Sequence, residues 1–372
     1  MVHEKSVKDI PFNLKKQYFC ILNRVCLWAF FDKQKDRILT LFTNLKTITN
    51  MKKMILSLVA AIVSATATYA QSSLVATLTH NGTTTAYYGA TALVQAHEAA
   101  ADGDIITLSS GTFNPTNITK GITLRGAGAT VDLDNHIEPT IISGSFRIGS
   151  ESVTTAGLII EGIYNDNTIT YAGRLEYALF IKSRFSRFGA YNSFALLYDC
   201  TFVNCIIAEG IDVPYNETVV TLTNCVYFND YGSPKNMNFT NSVITNAESF
   251  ASSSFRNCIL LYTTILDNSN SAYRCISDDE YVFEYIPNTT NYVASMDDLF
   301  LNNNIDNVWN DLYNFELKDE AKTTYLGTDG TQIGIYGGSL PFNLTPTNPQ
   351  ITRFDMNSSV ENGKLTVKIN VQ

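Results

Sequence analysis

The sequence predicts an all-β fold, a single-stranded right-handed parallel β-helix with a short N-terminal capping helix and a C-terminal β-hairpin tail. Three observations lead to this prediction. Short runs rich in β-branched and aromatic residues alternate with Gly, Asn, Asp and Ser over most of the chain, which is typical of many short strands. Helical periodicity is convincing only at residues 91–101. Small residues follow the apolar runs at a spacing of about 17 residues.

The N-terminal seventy residues precede the predicted fold. Residues 51–70 show the three zones of a secretory signal peptide: a Met-Lys-Lys start, an apolar run at 54–63 and small residues ending at Ala70. The apolar run is much shorter than the ~20 residues that span a bilayer. We therefore expect a mature chain that begins near Gln71 and is secreted or periplasmic, with display on the cell surface as a further option. Residues 1–50 are interpreted as an upstream extension of the reading frame without a function.

Charge narrows the choice of partners. Of the 26 basic and 35 acidic residues, 11 and 4 lie in residues 1–70, so the expected mature chain carries 15 and 31, a net charge of −16. This balance argues against nucleic acid or an anionic membrane surface as a partner. No later stretch is long and apolar enough to span a bilayer, so no membrane insertion of the mature chain is expected.

The repeat itself suggests a coil. A small residue directly follows each apolar run, which places Gly126, Gly144, Gly162, Ser183, Cys200, Cys225, Ser242, Cys258 and Cys275 in one column. A unit of this length is too short for a propeller blade and lacks the helix of a Leu-rich or ankyrin unit. It suits one coil of a parallel β-helix, with the small residue in a tight turn where neighbouring backbones approach closely. We expect about 10 to 12 such coils from residue 105 to 335.

The residues that precede the small column form a second predicted column. Stacked at the strand spacing of ~4.8 Å, Asn224, Asn241 and Asn257 would form an amide ladder. Glu161, Lys182 and Asp199 would form a column of alternating charge. Asn also tolerates the left-handed backbone angles of tight turns, so these residues are interpreted as structural.

Two segments carry a resemblance to a known family. Residues 99–128, AAADGDIITLSSGTFNPTNITKGITLRGAG, resemble the opening coils of pectin-lyase-like right-handed β-helix proteins. Residues 329–338, DGTQIGIYGG, resemble the closing coil of many secreted bacterial members. The resemblance implies an N-terminal cap at 71–104 and a parallel β-helix at 105–342, and it specifies architecture rather than activity.

The chain after the β-helix changes character. Residues 343–350, NLTPTNPQ, form a Pro-containing linker that cannot continue a parallel ladder. Residues 364–371, KLTVKINV, alternate in hydropathy after an Asn362-Gly363 turn signal. Residues 351–372 are therefore predicted to form a β-hairpin tail, docked on the β-helix or on a partner.

The resemblance brings two catalytic expectations. Polysaccharide lyases on this fold use a Lys or Arg base with Asp-bound calcium, and hydrolases on it use clustered Asp residues as acid and base. The catalytic candidates in this sequence are Arg174, Lys182, Arg184 and Asp212.

Metal and cofactor expectations rest on one motif. Asp132 and Asp134 lie two residues apart, so on a strand both carboxylates would face one side and could bind Ca²⁺. A solvated loop is the alternative interpretation, and no other cofactor is expected.

Two long coils supply the ligand-binding candidates. The loop between Gly162 and Ser183 carries Asp166, Tyr171 and Glu176, and the loop between Cys200 and Cys225 carries Glu209, Asp212 and Tyr215. Carboxylates that accept hydrogen bonds from sugar hydroxyls, beside Tyr rings that stack on sugar faces, make an extracellular glycan the expected partner. The alternative is that these loops are decorated turns without a ligand.

The expected mature chain has five cysteines, Cys200, Cys205, Cys225, Cys258 and Cys275. Because Gly or Ser fills the same position in other coils, we expect buried free thiols. Disulfides between Cys200 and Cys225 and between Cys258 and Cys275 are the alternative.

Three functions remain open from the sequence. The first is a secreted or surface β-helix protein that contacts extracellular polysaccharide without proven catalysis. The second is a polysaccharide lyase or glycoside hydrolase, and the third is a structural or adhesive surface protein.

Overall fold

The structure, a computed structural model, describes residues 74–131, 137–213, 219–230, 234–286 and 290–347, and the backbone of 351–356 and 367–371. It is a right-handed parallel β-helix of about nine turns, which confirms the predicted fold class. The predicted extension and signal peptide lie outside the described residues, as do Asp132, Asp134 and Tyr215. In the part of the chain that is described, no helix is long and apolar enough to cross a membrane.

The N-terminal cap contains a hairpin as well as the predicted helix. Strands β1 (Val75–His80) and β2 (Thr83–Tyr88) pair antiparallel, and helix α1 (Ala92–Ala99) follows. Lys120 Nζ donates hydrogen bonds to the carbonyls of His97 and Ala100, both at 2.7 Å, and so satisfies acceptors at the C-terminal end of α1.

The coils contain short strands separated by tight turns. In chain order these are β3 (Ile105–Leu108), β4 (Gly111–Phe113), β5 (Thr123–Arg125), β6 (Thr140–Ile142), β7 (Phe146–Gly149), β8 (Thr155–Ala156), β9 (Ile159–Glu161), β10 (Ile163–Ala172), β11 (Arg174–Glu176), β12 (Leu179–Ile181), β13 (Arg184–Ala190), β14 (Leu196–Tyr198), β15 (Cys200–Val203), β16 (Ile206–Ile211), β17 (Val220–Thr223), β18 (Val226–Phe228), β19 (Met237–Thr240), β20 (Val243–Thr245), β21 (Ser254–Arg256), β22 (Ile259–Leu261), β23 (Ser271–Tyr273), β24 (Ile276–Ser277) and β25 (Tyr292–Val293).

Three sheets run along the coil. Sheet A has the parallel order β3-β5-β9-β12-β15-β17-β19-β21-β23 and is extended at its N-terminal end by β1 and β2. Sheet B has the order β4-β6-β10-β13-β16-β18-β20-β22-β24-β25, with β7 beside β10. Sheet C contains β8, β11 and β14. The described coils number about nine, fewer than the 10 to 12 predicted, because the chain leaves the coil after β25.

Stacked aromatic rings fill the interior of the coil. Phe180 and Phe202 are register partners on β12 and β15, and their ring centroids lie 4.5 Å apart. Phe239 and Phe255 repeat the arrangement on β19 and β21 at 5.3 Å. Since inward residues of neighbouring coils lie directly above one another, each aromatic layer covers the next.

The predicted small-residue column is wrong at four members. Gly126 and Gly162 align with Lys182 rather than with Ser183, because Glu161 pairs with both Arg125 and Ile181.

The other two members lie at different corners of the coil. Gly144 follows β6 in sheet B, and Cys200 begins β15 at a different corner from Cys225. Cys205 is the residue aligned with Cys225, because Val203 pairs with Thr223 two residues earlier. The spacing of small residues alone gave the wrong register, because each coil contains more than one tight turn.

The corner after sheet A is built from left-handed residues. Seven aligned positions have φ between 48° and 65°: Gly162, Lys182, Asn204, Asn224, Asn241, Asn257 and Arg274. The amide ladder therefore has four members, Asn204 in addition to the three predicted. The predicted charge column is wrong, because Glu161 pairs with Ile181 rather than Lys182 and Asp199 lies at another corner.

Residues 294–347 run along the outside of the coil as one C-terminal segment, with helices α2 (Met296–Leu299) and α3 (Asp319–Thr324). They cover the outer face of sheet B, where β18 and β22 are buried on every residue. The predicted closing motif, residues 329–338, forms no strand of the coil. It lies along the corner after sheet A, where Asn224 Nδ2 donates to the carbonyls of Ile335 (2.7 Å) and Gly337 (2.8 Å).

The end of the segment also contacts the coil. Lys182 Nζ donates to the carbonyl of Thr345 at 2.6 Å, and the amide of Thr347 donates to Glu161 Oε1 at 2.8 Å. The described part of the predicted linker is therefore held at the corner. Beyond it, β26 (Ile351–Met356) and β27 (Val367–Val371) pair antiparallel, which confirms the predicted hairpin tail.

All five cysteines of the described chain are buried and free, as expected. Burial raises the pKa of Cys200 to about 12, and it raises the pKa values of Cys205 and Cys258 well above the usual thiol range. These thiols fill space at turns rather than offering nucleophiles.

Candidate functional site

A groove lies on the outer face of sheet B, and we call it the sheet B groove. It consists of two adjoining cavities, of about 290 Å³ and about 460 Å³, which share Tyr164, Arg184 and Trp309 as lining residues. These volumes are in the range of ligand sites in proteins. The smaller cavity forms the polar end of the groove and the larger cavity forms the apolar end.

The floor of the groove is set by parallel register. Tyr164 on β10 pairs with Arg184 on β13, Arg184 pairs with Ile206 on β16, and Ile206 pairs with Val226 on β18. Because these residues occupy equivalent positions on four successive coils, their side chains emerge in one row.

A loop of the C-terminal segment forms the wall opposite this row. Arg184 Nη2 lies 2.7 Å from Asp311 Oδ1, and Trp309 Nε1 donates to the same carboxylate oxygen at 2.8 Å. The guanidinium carbon of Arg184 is 4.5 Å from the centroid of the Tyr164 ring and 5.6 Å from that of Trp309. Arg184 therefore links sheet B to the loop of the C-terminal segment through an ion pair and two cation–π contacts.

The polar end carries three carboxylates from three coils. Asp166, Glu209 and Asp230 line it together with Ser186, whose Oγ donates to Glu209 Oε1 at 2.7 Å. The strands shift register between Asn165 and Thr168 and between Phe185 and Arg187. Such bulges turn side chains away from the regular alternation, and they lie where Asp166 and Ser186 line the groove.

One of these carboxyl groups has a perturbed titration. Loss of solvent around Asp230 and, second, the charge of Glu209 raise the pKa of Asp230 above the usual aspartate value. A carboxyl group whose pKa is raised keeps its proton to higher pH, which is the property of a general acid.

The apolar end continues the groove beneath the C-terminal segment. Its lining includes Ile206 and Val226 from the coil, and Phe315, Ile335 and Phe342 from the segment. The whole groove thus changes from acidic to apolar along its length, with the rings of Tyr164 and Trp309 at the transition.

Three predicted candidates come together here. Asp166 and Glu209, from the two long coils, line the polar end as neighbours, and Arg184 lies at the centre of the groove. Asp166 and Glu209 reach the groove from strands β10 and β16 of sheet B rather than from inserted loops.

The structure does not bring the other described candidates into the groove. Tyr171 is fully buried, its ring stacks on Phe188 at 5.7 Å, and its hydroxyl donates to the carbonyl of Asp212 at 2.5 Å, so it has no face open to a ligand. Arg174 and Glu176 form an ion pair on sheet C.

The remaining two candidates have structural contacts of their own. Lys182 holds the C-terminal segment at the corner through Thr345. The Asp212 carboxylate lies 4.0 Å from the guanidinium of Arg187. The four catalytic candidates are thus distributed over separate elements rather than gathered in one site.

Sequence reasoning missed Tyr164, Asp230, Trp309 and Asp311. A signal existed for Trp309, because it is the only tryptophan after residue 28 and stands in a polar stretch, NNNIDNVWNDLY at 302–313. Its position on the groove depends on the fold of the C-terminal segment, which the repeat pattern does not describe.

Across the described residues there is no cluster of three or more His, Cys, Asp or Glu side chains that could hold a metal ion. Among these residues, the carboxylates at the polar end are therefore not arranged to hold a cation together. The pair Asp132 and Asp134 stays a prediction.

Comparison of the chain with protein-family models, with curated proteins and with solved structures finds no match in any of the three.

Proposed function

We propose that this is a secreted β-helix protein of the pectin-lyase-like type that binds an extracellular glycan in the sheet B groove. The observation that carries the proposal is the meeting of Tyr164 and Trp309 with Asp166, Glu209 and Asp230 in one open groove. Aromatic rings stack on the apolar faces of sugars, and carboxylates accept hydrogen bonds from sugar hydroxyls. A groove with both groups suits a carbohydrate better than a purely apolar or ionic ligand.

Charge narrows the glycan class. The carboxylates of Asp166, Glu209, Asp230 and Asp311 line the same groove as Arg184, which is the one cation among the described lining residues and already pairs with Asp311. Like charges repel in a partly desolvated site. We therefore propose neutral or amino sugars, and we expect uronic-acid polymers to bind more weakly.

A glycan array probed with the purified protein tests this proposal. Trp309→Ala removes a ring of the groove and should weaken binding to the selected glycan by about tenfold to a hundredfold. Tyr285→Ala is the matched control, because Tyr285 is 55% exposed and is not among the groove residues. Equal loss in both variants, or undiminished binding by Trp309→Ala, would place the glycan site elsewhere.

A glycoside hydrolase is the second candidate, and the raised pKa of Asp230 beside Glu209 favours it over a lyase. In this scheme the Asp230 carboxyl group donates its proton to the glycosidic oxygen as the bond from that oxygen to the anomeric carbon breaks. Glu209, held by Ser186, either takes a proton from the water that attacks this carbon or bonds to the carbon itself, and water then hydrolyses the glycosyl-enzyme bond. Release of reducing ends from the array-selected glycan should be lost in Asp230→Asn and in Glu209→Gln. Formation of unsaturated ends would instead indicate elimination, and the absence of both products leaves binding as the function.

Secretion belongs to the same proposal. Residues 51–70 should be removed on export, so N-terminal sequencing of the exported protein should begin near Gln71. Retention of residues 1–50 in the exported protein would contradict this.

A further inference from the structure

The N-terminal end of sheet A is an open strand edge. Strand β2 is the terminal strand of an eleven-stranded sheet, and within the described residues no strand pairs with its outer side. Five of its six residues are exposed, and it pairs with β1 without a bulge from Val75–Tyr88 to His80–Thr83. Its sequence, TTTAYY, contains no charge and no proline. The strand itself therefore has no charge, proline or bulge of the kind by which proteins often protect an edge.

The opposite end of sheet A is closed. The side chain of Asn291 accepts a hydrogen bond from the amide of Cys275 at 2.9 Å and donates one to the carbonyl of Ala272 at 3.2 Å. These contacts occupy the free edge beside β23, the last strand of the sheet. The two ends of one sheet thus differ, and only the N-terminal end presents a full strand of backbone groups.

Backbone hydrogen bonding shows which groups of β2 face outward. Gly89 N–H donates to the Leu74 carbonyl at 2.9 Å, on the same ladder that joins β2 to β1. In an antiparallel ladder the hydrogen-bonded pairs alternate, so Thr83, Thr85 and Tyr87 direct their amides toward β1. The amides and carbonyls of Thr84, Ala86 and Tyr88 point away from the sheet.

We propose that β2 pairs antiparallel with β2 of a second copy of this chain, about a two-fold axis at Ala86. In this register Thr84 faces Tyr88 of the second copy and Ala86 faces its counterpart, so all outward groups are used in about six hydrogen bonds. The strand is self-complementary, as a two-fold interface requires. The strand is also free of charge in a chain of strongly acidic composition, so two copies meet here without placing like charges opposite each other.

The proposal is tested by sedimentation velocity of the full-length protein over about a hundredfold range of concentration. We expect a concentration-dependent monomer–dimer equilibrium. Ala86→Pro removes the central outward N–H while the amides that bond β1 remain, so this variant should stay monomeric with an unchanged thermal transition. Ala86→Val is the matched control, because it keeps the amide and should dimerise like the wild type.

Three outcomes would overturn the proposal. One is a wild type that stays monomeric over the whole range, as it would if another segment of the chain covers β2. Another is dimerisation of Ala86→Pro at the wild-type affinity. The third is loss of dimers in Ala86→Val as strong as in Ala86→Pro, which would assign the contact to side chains. If Ala86→Pro fails to fold, Thr84→Lys takes its place, since a charge on the edge opposes strand pairing.

Discussion

The Asn224 side chain should contribute strongly to holding the C-terminal segment on the coil, so substitution of Asn224 should destabilise the protein. The residue is 1% exposed, its backbone is left-handed at φ 50°, and its amide group donates to the carbonyls of Ile335 and Gly337. In Asn224→Gly the left-handed backbone carries no steric cost, and the two buried carbonyls lose their hydrogen-bond donor. Each unsatisfied group costs about 1–3 kcal/mol, and partial rehydration lowers the sum, so we expect a loss of roughly 2–4 kcal/mol.

Asn224→Ala separates the two contributions at this site. It loses the same hydrogen bonds and, unlike the Gly variant, keeps a Cβ on a left-handed residue, so it should be about 1–2 kcal/mol less stable than Asn224→Gly. Urea denaturation measures both variants, and hydrogen exchange should become faster at residues 334–338. Asn204→Gly is the matched control, because Asn204 lies on the same ladder at φ 53° and, within the described residues, its side chain makes no hydrogen bond to the C-terminal segment. A loss below about 0.5 kcal/mol in Asn224→Gly, or an equal loss in Asn204→Gly, would refute this role of the Asn224 side chain.

Three further predictions concern the coil. A Cβ at Gly126 would lie 2.3 Å from the Gly162 carbonyl oxygen, so Gly126→Ala should lower the free energy of unfolding in urea by about 1–3 kcal/mol. Gly189→Ala is the control and should be nearly neutral, because the nearest atom to its Cβ would lie at 3.6 Å. Similar losses in the two variants would contradict the steric explanation. Burial and, second, the charge of Lys120 lower the pKa of His97 from 6.5 to about 4. Neutral His97 therefore contributes its full stability above pH 6.5, and about 1–3 kcal/mol of the free energy of unfolding should be lost as pH falls toward 4. His97→Gln should flatten this pH profile of thermal stability, and an unchanged profile would assign the loss to other groups. The five buried thiols should resist iodoacetamide in the native protein and react after denaturation without reductant; a mass two hydrogens lower per bridge would reveal disulfides instead.

Sequence periodicity was sufficient for the fold class because the coil repeats a local rule. Apolar residues alternate with polar ones on sheet A, and a residue tolerant of left-handed angles ends each strand, as at Asn224, Asn241 and Asn257. The same rule could not assign Gly144 or Cys200, because a small residue satisfies any of the tight turns in a coil.

The N-terminal hairpin has a sequence signal of its own that is independent of the coil repeat. Asn81-Gly82 separates two alternating runs, VATLTH and TTTAYY, which is a strong hairpin pattern. Both residues have positive φ in the structure, as this turn requires.

The candidate site was only partly predictable for a physical reason. Asp166, Glu209 and Arg184 could be found because they lie on or beside the two long coils. Trp309 and Asp311 belong to a segment that packs on the coil through side chains, such as Phe315 against Phe228 with ring centroids 6.3 Å apart. Strands such as β18 and β22, apolar at every position, do indicate that the outer face is covered, but not by which residues.

The most direct test of glycan binding in the sheet B groove uses the fluorescence of Trp309. The chain has two tryptophans, Trp28 in the predicted extension and Trp309 in the groove, so exported protein that begins near Gln71 would carry a single fluorophore at the site. Titration with the array-selected glycan should change the emission of Trp309 in a saturable way, with the same dissociation constant that calorimetry gives. Calorimetric binding of that glycan with no change in Trp309 emission would contradict the account.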